Sequence, residues 1–494
     1  MTGFSLNQMY TDLPERFYAP VTPAPVAAAP RLIALNTRLA QSLGLDAAWL
    51  ASPEGVAMLA GQVMPAGVTP VALAYAGHQF GQFVPQLGDG RALLLGDVTD
   101  VSGMVREIQL KGSGRTAFSR RGDGRAALGP VLREYVLSEA MAALGVPTTR
   151  ALAAVRTGET VYRETALPGA VITRVASSHI RVGTFQFFAA RQDHAGLKLL
   201  ADYAIQRHYP QAAQAAQADA PYAALLECII AAQAALIARW MHLGFIHGVM
   251  NTDNMAVSGE TLDYGPCAFM EQYDPATVFS FIDEKGRYAY ARQPTMALWN
   301  LTRLAEAMLP LLAEDEDKAV ERAQEALARF EPEFQALYLK GLRAKLGLST
   351  EQAEDASLIR GLLERMQAHK LDFTQTFRSL SHQDAIDPEN VPQEGTPLQM
   401  LSDWLPTWHQ RLAQEPDQNA QTRAKTMQQV NPLYIPRNHL VEEMIVQAIT
   451  QDDYSAFEAL LAVTAHPYDD QPGREHYAQP AQPHQQVRHT FCGT

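Results

Sequence analysis

The chain has 494 residues, 47% of them hydrophobic and 19% charged, and this composition excludes an intrinsically disordered protein. Its formal net charge of −13 argues against general binding to nucleic acids or to anionic membranes. Three cysteines are too few for a disulfide framework and form no CxxC zinc motif. The N-terminus lacks the pattern of a signal peptide, and no uninterrupted apolar run reaches the roughly 18 residues of a membrane span. We therefore expect a soluble, cytoplasmic protein with no nucleic-acid or membrane partner.

The first part of the chain predicts an N-terminal extension, residues 1–70, followed by a strand-rich domain, residues 71–180. The extension is rich in Ala and Pro and has short helical stretches such as 31–43. In the second region a helix is predicted from Pro130 to Leu144, because Pro suits a first turn and Gly145 follows the last. Short apolar runs there are typical of strands: 93–95, 107–111 and 171–175.

The pattern becomes strongly helical from about Phe185, and residues 181–465 are predicted to form one larger helical domain. Residues 221–243 are nearly all apolar, which predicts a buried helix that ends at Gly244. Further predicted helices are 294–312, 318–330, 333–346, 351–369 and 441–463, with Pro332 separating the second from the third. The tail, residues 466–494, is rich in Pro, Gln and His and is predicted to be mobile.

A locally basic, glycine-rich stretch stands out in this acidic chain. Residues 86–133 contain eight Lys and Arg against five Asp and Glu. Gly88 and Gly90 precede Arg91, so the backbone N–H groups can approach an anion while a guanidinium adds donors. Asp123 and Gly124 form a second Gly-Asp-Gly motif. This pattern suits a phosphorylated small ligand, although each motif alone is also typical of an exposed turn.

Lys111 closes a predicted strand, and Glu134 lies 23 residues later within the predicted helix. This is the relation of the strand lysine to the helix glutamate in protein kinases, where the pair holds nucleotide phosphates. An exposed Lys and an exposed Glu are the alternative interpretation. Arg174 and Arg181 flank the junction of the two domains and either neutralise phosphates or bridge the domains.

The run 247–254 has the spacing of a kinase catalytic loop, with His247 and Asn254 at its two ends. Val249 occupies the position of the usual catalytic aspartate. Asn254 and the later Asp263 offer the hard oxygen ligands that Mg²⁺ prefers, and Asp253 could take a proton from a hydroxyl. Asn and Asp also favour turns, which is the alternative. All these clusters in kinase order favour a nucleotide site.

These motifs resemble the selenoprotein O family, also called the YdiU family, of kinase-like protein adenylyltransferases. The resemblance covers roughly residues 65–465 and is highly specific. The segments that carry it are 75–81, 85–91, 110–114, 122–126, 147–152, 247–254, 262–266, 286–290 with Asp283, and 436–439.

The resemblance implies an α+β, bilobal protein-kinase-like fold, with residues 71–180 as the strand-rich N-lobe and residues 181–465 as the helical C-lobe. It implies ATP bound in a flipped orientation and AMP transfer to Ser, Thr or Tyr hydroxyls of protein substrates, with self-modification. UMP transfer from UTP, favoured by Mn²⁺ over Mg²⁺, is also implied for bacterial members. The resemblance implies that Asp253 is the base and that Asn254 and Asp263 are the metal ligands. It implies that Lys111, paired with Glu134, contacts phosphate. The residues implied to line the nucleotide pocket are Gly88, Gly90, Arg91, Asp123, Gly124, Arg174 and Arg181.

The family also carries Sec or Cys near its C-terminus, and Cys492 fits that position. The partner cysteine of some bacterial members is replaced here by Phe279, so the resemblance leaves Cys267 as a candidate partner in a redox switch. Two other functions stay open at this point. One is a conventional kinase that transfers the γ-phosphate, and Val249 at the position of the usual base argues against it. The other is a non-catalytic pseudokinase scaffold that binds nucleotide, and the retained metal ligands argue against it.

Overall fold

A computed structural model describes residues 6–23, 28–215, 221–390, 395–416 and 419–490. Its strands, in chain order, are β1 Tyr18–Pro20, β2 Arg31–Leu35, β3 Val71–Leu73, β4 Gly77–Gln79, β5 Gln82–Val84, β6 Ala92–Thr99, β7 Val105–Lys111, β8 Ala126–Ala127, β9 Arg150–Tyr162, β10 Ala166–Ala176, β11 Phe245–Ile246 and β12 Ala268–Phe269. An eight-stranded sheet runs in the order β1-β3-β6-β7-β10-β9-β2, with β8 paired to β10. β4 and β5 form a separate hairpin, and β11 pairs with β12.

Successive side chains on the central strands point to opposite faces of the sheet, and the two faces pack in different cores. On β10, Val171 packs in a core with residues of the N-terminal segment, whereas Ile172 packs in a core on the opposite face. On the neighbouring β7, Leu110 lies in the N-terminal core. Lys111 therefore points to the opposite face, as does Arg174, which lies two positions beyond Ile172 on β10.

The helices, in chain order, are α1 Thr37–Ser42, α2 Ala47–Leu50, α3 Pro53–Leu59, α4 Leu128–Ala143, α5 Val182–Ala189, α6 His194–His208, α7 Pro210–Ala215, α8 Pro221–Leu243, α9 Gln293–Leu312, α10 Glu316–Ala328, α11 Phe330–Lys345, α12 Asp355–Ala368, α13 Phe373–Leu380, α14 Gln383–Ile386, α15 Leu405–Leu412, α16 Ala420–Gln428, α17 Asn438–Gln451 and α18 Ser455–Thr464. The helices from α5 to α16 follow the last strand of the main sheet, so a strand-rich region precedes a helical one, as the sequence predicts.

Helix α4 lies between the sheet and two helices from the end of the chain. Leu132 and Tyr135 share a core with Ile172 of the sheet and with Phe457 of α18. The rings of Tyr135 and Phe457 meet edge to face, with centroids 5.6 Å apart. Because α4 is covered on two sides, 12 of its 16 residues are buried, and its position relative to the sheet is fixed by packing.

Helix α8 is buried in the helical region, as its composition predicts. Among the described helices it is long and apolar enough to cross a membrane, but half of its most apolar window is buried inside the fold. A core helix has the same composition. Buried Gln233 donates from Nε2 to the carbonyl oxygen of Ala256 at 2.7 Å, so its polar group is satisfied within the protein.

Most predicted elements are confirmed. The predicted strands lie within β6, β7 and β10, and the predicted helices at 130–144, 221–243, 294–312, 318–330, 333–346 and 351–369 correspond to α4, α8, α9, α10, α11 and α12. Pro332 lies in the first turn of α11, where its missing N–H costs no hydrogen bond.

Two helix predictions were wrong. Residues 31–43 begin as strand β2, because this segment pairs with the exposed edge of β9, and only α1 is helical. The predicted helix 441–463 is broken between α17 and α18 at Asp452, whose φ is 54°. Asp453 then accepts at 2.9 Å from the backbone N–H of Ser455, the first residue of α18.

The mobility of the tail stays a prediction, and its described residues make specific contacts. The hydroxyl of Tyr468 donates to the carbonyl oxygen of Leu144 at 3.1 Å. The backbone N–H of Thr490 donates to the carbonyl oxygen of Phe279 at 2.8 Å. The tail therefore runs from the end of α4 to the segment after β12.

At Gly183, helix α5 approaches the loop before β4 too closely to leave room for a side chain. A Cβ there would lie 2.1 Å from the carbonyl oxygen of Ala76, a backbone atom that cannot rotate away. We expect Gly183→Ala to lower the free energy of unfolding by about 1 to 3 kcal/mol through overpacking.

The control is Gly361→Ala in α12, where the nearest atom, on flexible Arg365, is at 3.4 Å. This change should be neutral or slightly stabilising because Ala favours a helix. Urea denaturation of both variants measures the difference, and equal midpoints would contradict the close approach.

Candidate active site

Two adjoining cavities lie where the sheet, α4 and the segment after α8 meet. The larger measures about 780 Å³ and the smaller about 290 Å³. The larger is lined by every residue predicted to contact nucleotide, together with the predicted base: Gly88, Gly90, Arg91, Lys111, Asp123, Gly124, Arg174, Arg181, Asp253 and Asp263. The smaller is lined by the remaining predicted site residues, Asn254 and Glu134. The structure therefore brings all the predicted residues together.

Four charged side chains close a ring at the boundary of the two cavities. Lys111 Nζ donates to Glu134 Oε2 at 2.8 Å and to Asp263 Oδ1 at 2.7 Å. Arg174 Nη2 donates to the same Asp263 oxygen at 2.9 Å, and Arg174 Nε donates to Glu134 Oε1. Each cation thus contacts both carboxylates. The ring joins β7, α4, β10 and the segment that carries Asp263.

The ring holds both carboxylates in their charged form. Burial alone would raise the pKa of Asp263, but the charges of Lys111 and Arg174 outweigh burial and hold this pKa well below its ordinary value. Burial likewise opposes ionisation of Glu134, and Arg174 and Lys111 again lower its pKa. Asp263 also has a φ of 69°, a left-handed conformation that few residues other than Gly adopt. Its carboxylate orientation is fixed at a cost in backbone energy.

Arg181 is the buried cation of the larger cavity with the fewest partners. Its Nη1 donates to Asp89 Oδ1 at a long 3.4 Å, and its guanidinium lies 4.2 Å from the ring centroid of Tyr75. Its buried Nε has no hydrogen-bond partner among the described residues. Asp89 is itself shared, because Gln109 Nε2 donates to its Oδ2 at 3.1 Å. Arg181 therefore retains donor capacity for an anion.

The loop before Asn254 forms a single turn that presents Asp253 to both cavities. Burial raises the pKa of the Asp253 carboxyl to about 6. Gln79 Nε2 donates to Asp253 Oδ2 at 3.2 Å. Asn254 Nδ2 donates to the carbonyl oxygen of Val249 at 3.0 Å, which leaves the amide oxygen as its ligand atom. That oxygen and the Asp263 carboxylate are hard donors of the kind that suit Mg²⁺ or Mn²⁺.

The glycine-rich segments form one wall of the larger cavity. Gly88 has a φ of 71°, and a Cβ there would lie 2.2 Å from the ring of Phe118, so a side chain is excluded twice over. Gly124 has a φ of 69°. The neighbouring Asp123 is held by Arg163, whose Nη1 donates to its Oδ2 at 2.9 Å. Asp123 therefore shapes the rim through an ion pair.

Similarity to known proteins shows the family of this chain. Residues 2–465 match the sequence profile of a family described as "Protein adenylyltransferase SelO". The chain belongs to the SelO family. A protein named "Protein nucleotidyltransferase YdiU" from Rhodopseudomonas palustris strain BisB5 is 60% identical over 497 residues, covering 99% of each chain. One of the same name from Bradyrhizobium species strain BTAi1 is 59% identical over 493 residues, again covering 99% of each. Membership of the SelO family confirms the resemblance and shows that this chain is a nucleotidyltransferase.

The sequence interpretation of this SelO-family protein missed several residues that line the larger cavity. Further lining residues of the larger cavity include an aromatic group, three cations and an amide: Tyr162, Arg115, Arg120, Arg121 and Gln79. The three arginines lie in the basic stretch 86–133, and the excess of positive charge there was the feature of the sequence that could have indicated them. Gln79 lies in one of the motifs that carry the family resemblance, but nothing local in the sequence indicated a contact with Asp253.

The proposed cysteine pair is described only in part, because Cys492 lies outside the described residues. Thr490, two positions earlier, donates from Oγ1 to the carbonyl oxygen of Pro266 at 2.5 Å. The described tail thus reaches the residue before Cys267. Burial raises the pKa of the Cys267 thiol to about 12, however, so almost none of it is thiolate at neutral pH.

The charge ring predicts a large effect of removing one carboxylate. In Glu134→Gln, the buried Lys111 and Arg174 retain only Asp263 as a charged partner. We expect the free energy of unfolding to fall by about 3 kcal/mol, since an uncompensated buried charge remains. Urea denaturation measures this change. Glu443→Gln, an exposed position in α17, removes the same charge as a control and should change stability by less than about 0.5 kcal/mol. Equal losses in both variants would contradict a stabilising ring.

A second prediction concerns the buried thiol. We expect Cys267 in the native protein to react with iodoacetamide more slowly than the half-buried Cys228, because its thiolate is scarce and its sulfur is inaccessible. Peptide mass spectrometry after timed labelling measures both rates, with urea-unfolded protein as the reference in which the two converge. Equal native rates would show that this segment opens readily, as a disulfide switch through Cys267 requires.

Proposed function

We propose that this protein transfers AMP from ATP to Ser, Thr or Tyr hydroxyls of target proteins and releases pyrophosphate. The observation that carries the proposal is a buried carboxylate, Asp253, beside the residues suited to bind metal, while the usual position of a kinase base holds Val249. A buried carboxylate is thus present in the cavity, at a different position from that of the base in a γ-phosphate-transferring kinase.

In the proposed reaction, the Asp253 carboxylate accepts the proton of the target hydroxyl as its oxygen attacks the α-phosphorus. A bond forms between that oxygen and phosphorus, the bond from the α-phosphorus to the bridging oxygen breaks, and pyrophosphate leaves with the electron pair. Asn254 and Asp263 would hold Mg²⁺ or Mn²⁺, which neutralises phosphate charge when bound. The ring keeps Asp263 ionised for this role and fixes the oxygen that faces Lys111.

The cations divide into two groups with different roles. The side chain of Arg174 is only 2% exposed and is committed to Glu134 and Asp263, so we assign it to holding the carboxylates in place. Arg181 has an unused donor, and Arg91 makes no ion pair with any described residue, so these two are the better candidates to bind the leaving pyrophosphate. Lys111 lies between the groups and can contact phosphate while remaining paired.

We further propose that the fold is bilobal and kinase-like, with the nucleotide flipped between the lobes. The supports are the strand-rich region before the helical one, the formed Lys111–Glu134 pair, and the position of Asp263 across from that pair. Several cations around the larger cavity suit a nucleotide whose β- and γ-phosphates point inward. UTP can use the same phosphate contacts, so UMP transfer with Mn²⁺ belongs to the same proposal. A cytoplasmic location and self-modification are also proposed, with no nucleic-acid or membrane partner.

The test is label transfer from α-labelled ATP to the protein itself and to a cell extract, with Mg²⁺ or Mn²⁺. We expect incorporation by the native protein and background levels in Asp263→Ala, because a metal ligand and one member of the ring are lost. Asp253→Ala should lower the rate by about 10²-fold to 10⁴-fold, the usual contribution of general base catalysis. Replacing ATP by α-labelled UTP tests nucleotide choice.

Asp317→Asn, an exposed position in α10, is the control and should retain full activity. Transfer of label from γ-labelled ATP alone would instead identify a conventional kinase. Tight nucleotide binding without transfer to any protein would identify a pseudokinase scaffold.

A further inference from the structure

The hairpin β4–β5 binds the catalytic loop residue by residue. The backbone N–H of His78 donates to Thr252 Oγ1 at 2.7 Å. Gln79 Nε2 donates to Asp253 Oδ2 at 3.2 Å. The next backbone N–H, of Phe80, donates to Asn251 Oδ1 at 3.1 Å. Consecutive hairpin residues therefore fix three consecutive loop residues.

The contact is tightest at the carboxylate itself. A Cβ on Gly77 would lie 2.8 Å from Asp253 Oδ1, so this position accepts only Gly if the carboxylate stays in place. That oxygen is buried and has no hydrogen-bond partner among the described residues. Oδ2 accepts from Gln79, whose donation occupies one lone pair and leaves another for a proton. The hairpin thus blocks one oxygen and orients the other.

The hairpin is itself anchored to the helical region. Thr252 Oγ1 donates to Gln186 Oε1 at 2.6 Å, and Gln186 Nε2 lies 2.8 Å from His78 Nδ1. A closed set of hydrogen bonds therefore links hairpin, loop and α5. On the other side the ring of Phe80 meets that of Tyr288, with centroids 5.2 Å apart. The position of Gln79 is consequently determined on both sides.

We propose that Gln79 is a positioning residue for the base, with the hairpin β4–β5 holding Asp253 Oδ2 toward the acceptor hydroxyl. The inference rests on the proposed function and deepens it. Gln79 makes the one side-chain hydrogen bond to Asp253 found among the described residues. It also lines both cavities, so its amide stands at the place where the acceptor would meet the nucleotide.

The chain offers a matched control on the same hairpin. Gln82 is the cross-strand partner of Gln79, so the two side chains leave the same face of the hairpin. Gln82 is exposed and lines neither cavity. Gln79→Met and Gln82→Met therefore make the same chemical change at two paired positions of the hairpin. Met has about the length of Gln but lacks its N–H donors.

We expect Gln79→Met to lower kcat for AMP transfer by about 10-fold to 100-fold, the range for losing a hydrogen bond to a charged group. KM for ATP should stay unchanged, because the nucleotide contacts remain. Gln82→Met should leave kcat, KM and melting temperature as in the native protein. A loss confined to KM for ATP, or a kcat within twofold of native for Gln79→Met, would overturn the proposal.

A double-mutant cycle separates positioning from general structural damage. If Gln79 acts through Asp253, adding Gln79→Met to Asp253→Ala should change the residual rate less than twofold. An equal further loss in both backgrounds would show that Gln79 acts independently of the base.

A measurement that does not depend on enzyme activity distinguishes failure of the Gln79 proposal from failure of the proposed function. In a crystal structure with an ATP analogue carrying a methylene bridge between the α- and β-phosphorus, Gln79 Nε2 should remain within hydrogen-bond distance of Asp253. An Asp253 carboxylate turned away from Gln79 would overturn the positioning role even if AMP transfer is confirmed. Absence of nucleotidyl transfer by the native protein would instead overturn the proposed function, with the geometric result still decisive for Gln79.

Discussion

The closed ring of Lys111, Glu134, Arg174 and Asp263 is the interaction on which the rest of the site depends. Its members come from two neighbouring strands, the helix α4 and the segment beyond the catalytic loop. The side chains of Lys111, Glu134 and Arg174 are at most 10% exposed and that of Asp263 is 30% exposed. Such burial of charge is acceptable because each of the four groups contacts two of opposite sign. Any displacement of the sheet relative to the helical region breaks at least one of these contacts. The ring therefore couples the alignment of the two regions to the ionisation of the Asp263 carboxylate.

Packing supplies the rigidity that the ring requires. Strand alternation presents Lys111 and Arg174 on the same face of the sheet, and α4 brings Glu134 to that face because it is held between the sheet and α17–α18. The loop 247–254 is held separately, through the hairpin β4–β5 and α5. Two independent supports thus converge on the two adjoining cavities. A change in α4 should affect the charge ring first, whereas a change in the hairpin should affect Asp253 first.

The sequence predicts those parts of the candidate site whose residues lie in short motifs or at a characteristic spacing. The 23-residue spacing of Lys111 and Glu134 joins a strand end to the first turns of a helix, and the structure forms that pair. Asn254 and Asp263 follow from the loop spacing. The partners of Arg174 could not be predicted, because an arginine in a strand gives no indication of whether it faces phosphates or carboxylates. Gln79 was missed because its partner lies 174 positions away. Likewise, the segment 31–35 is a strand only because β9 offers an edge, which propensity alone does not reveal.

The contacts that β2 and α4 make with residues late in the chain have a consequence for the order in which the protein can fold during synthesis. Asp452, at the break between α17 and α18, binds Arg31 of β2 across 421 positions and also Arg156 of β9. The outer face of α4 is covered by residues that follow position 438. During synthesis, the N-terminal strand and α4 therefore emerge from the ribosome long before their partners do. The sheet can form early, but the apolar back of α4 stays bare until nearly the whole chain has been translated. Helix α4, which carries Glu134 of the charge ring, is thus fully packed only after the residues beyond position 438 have been translated.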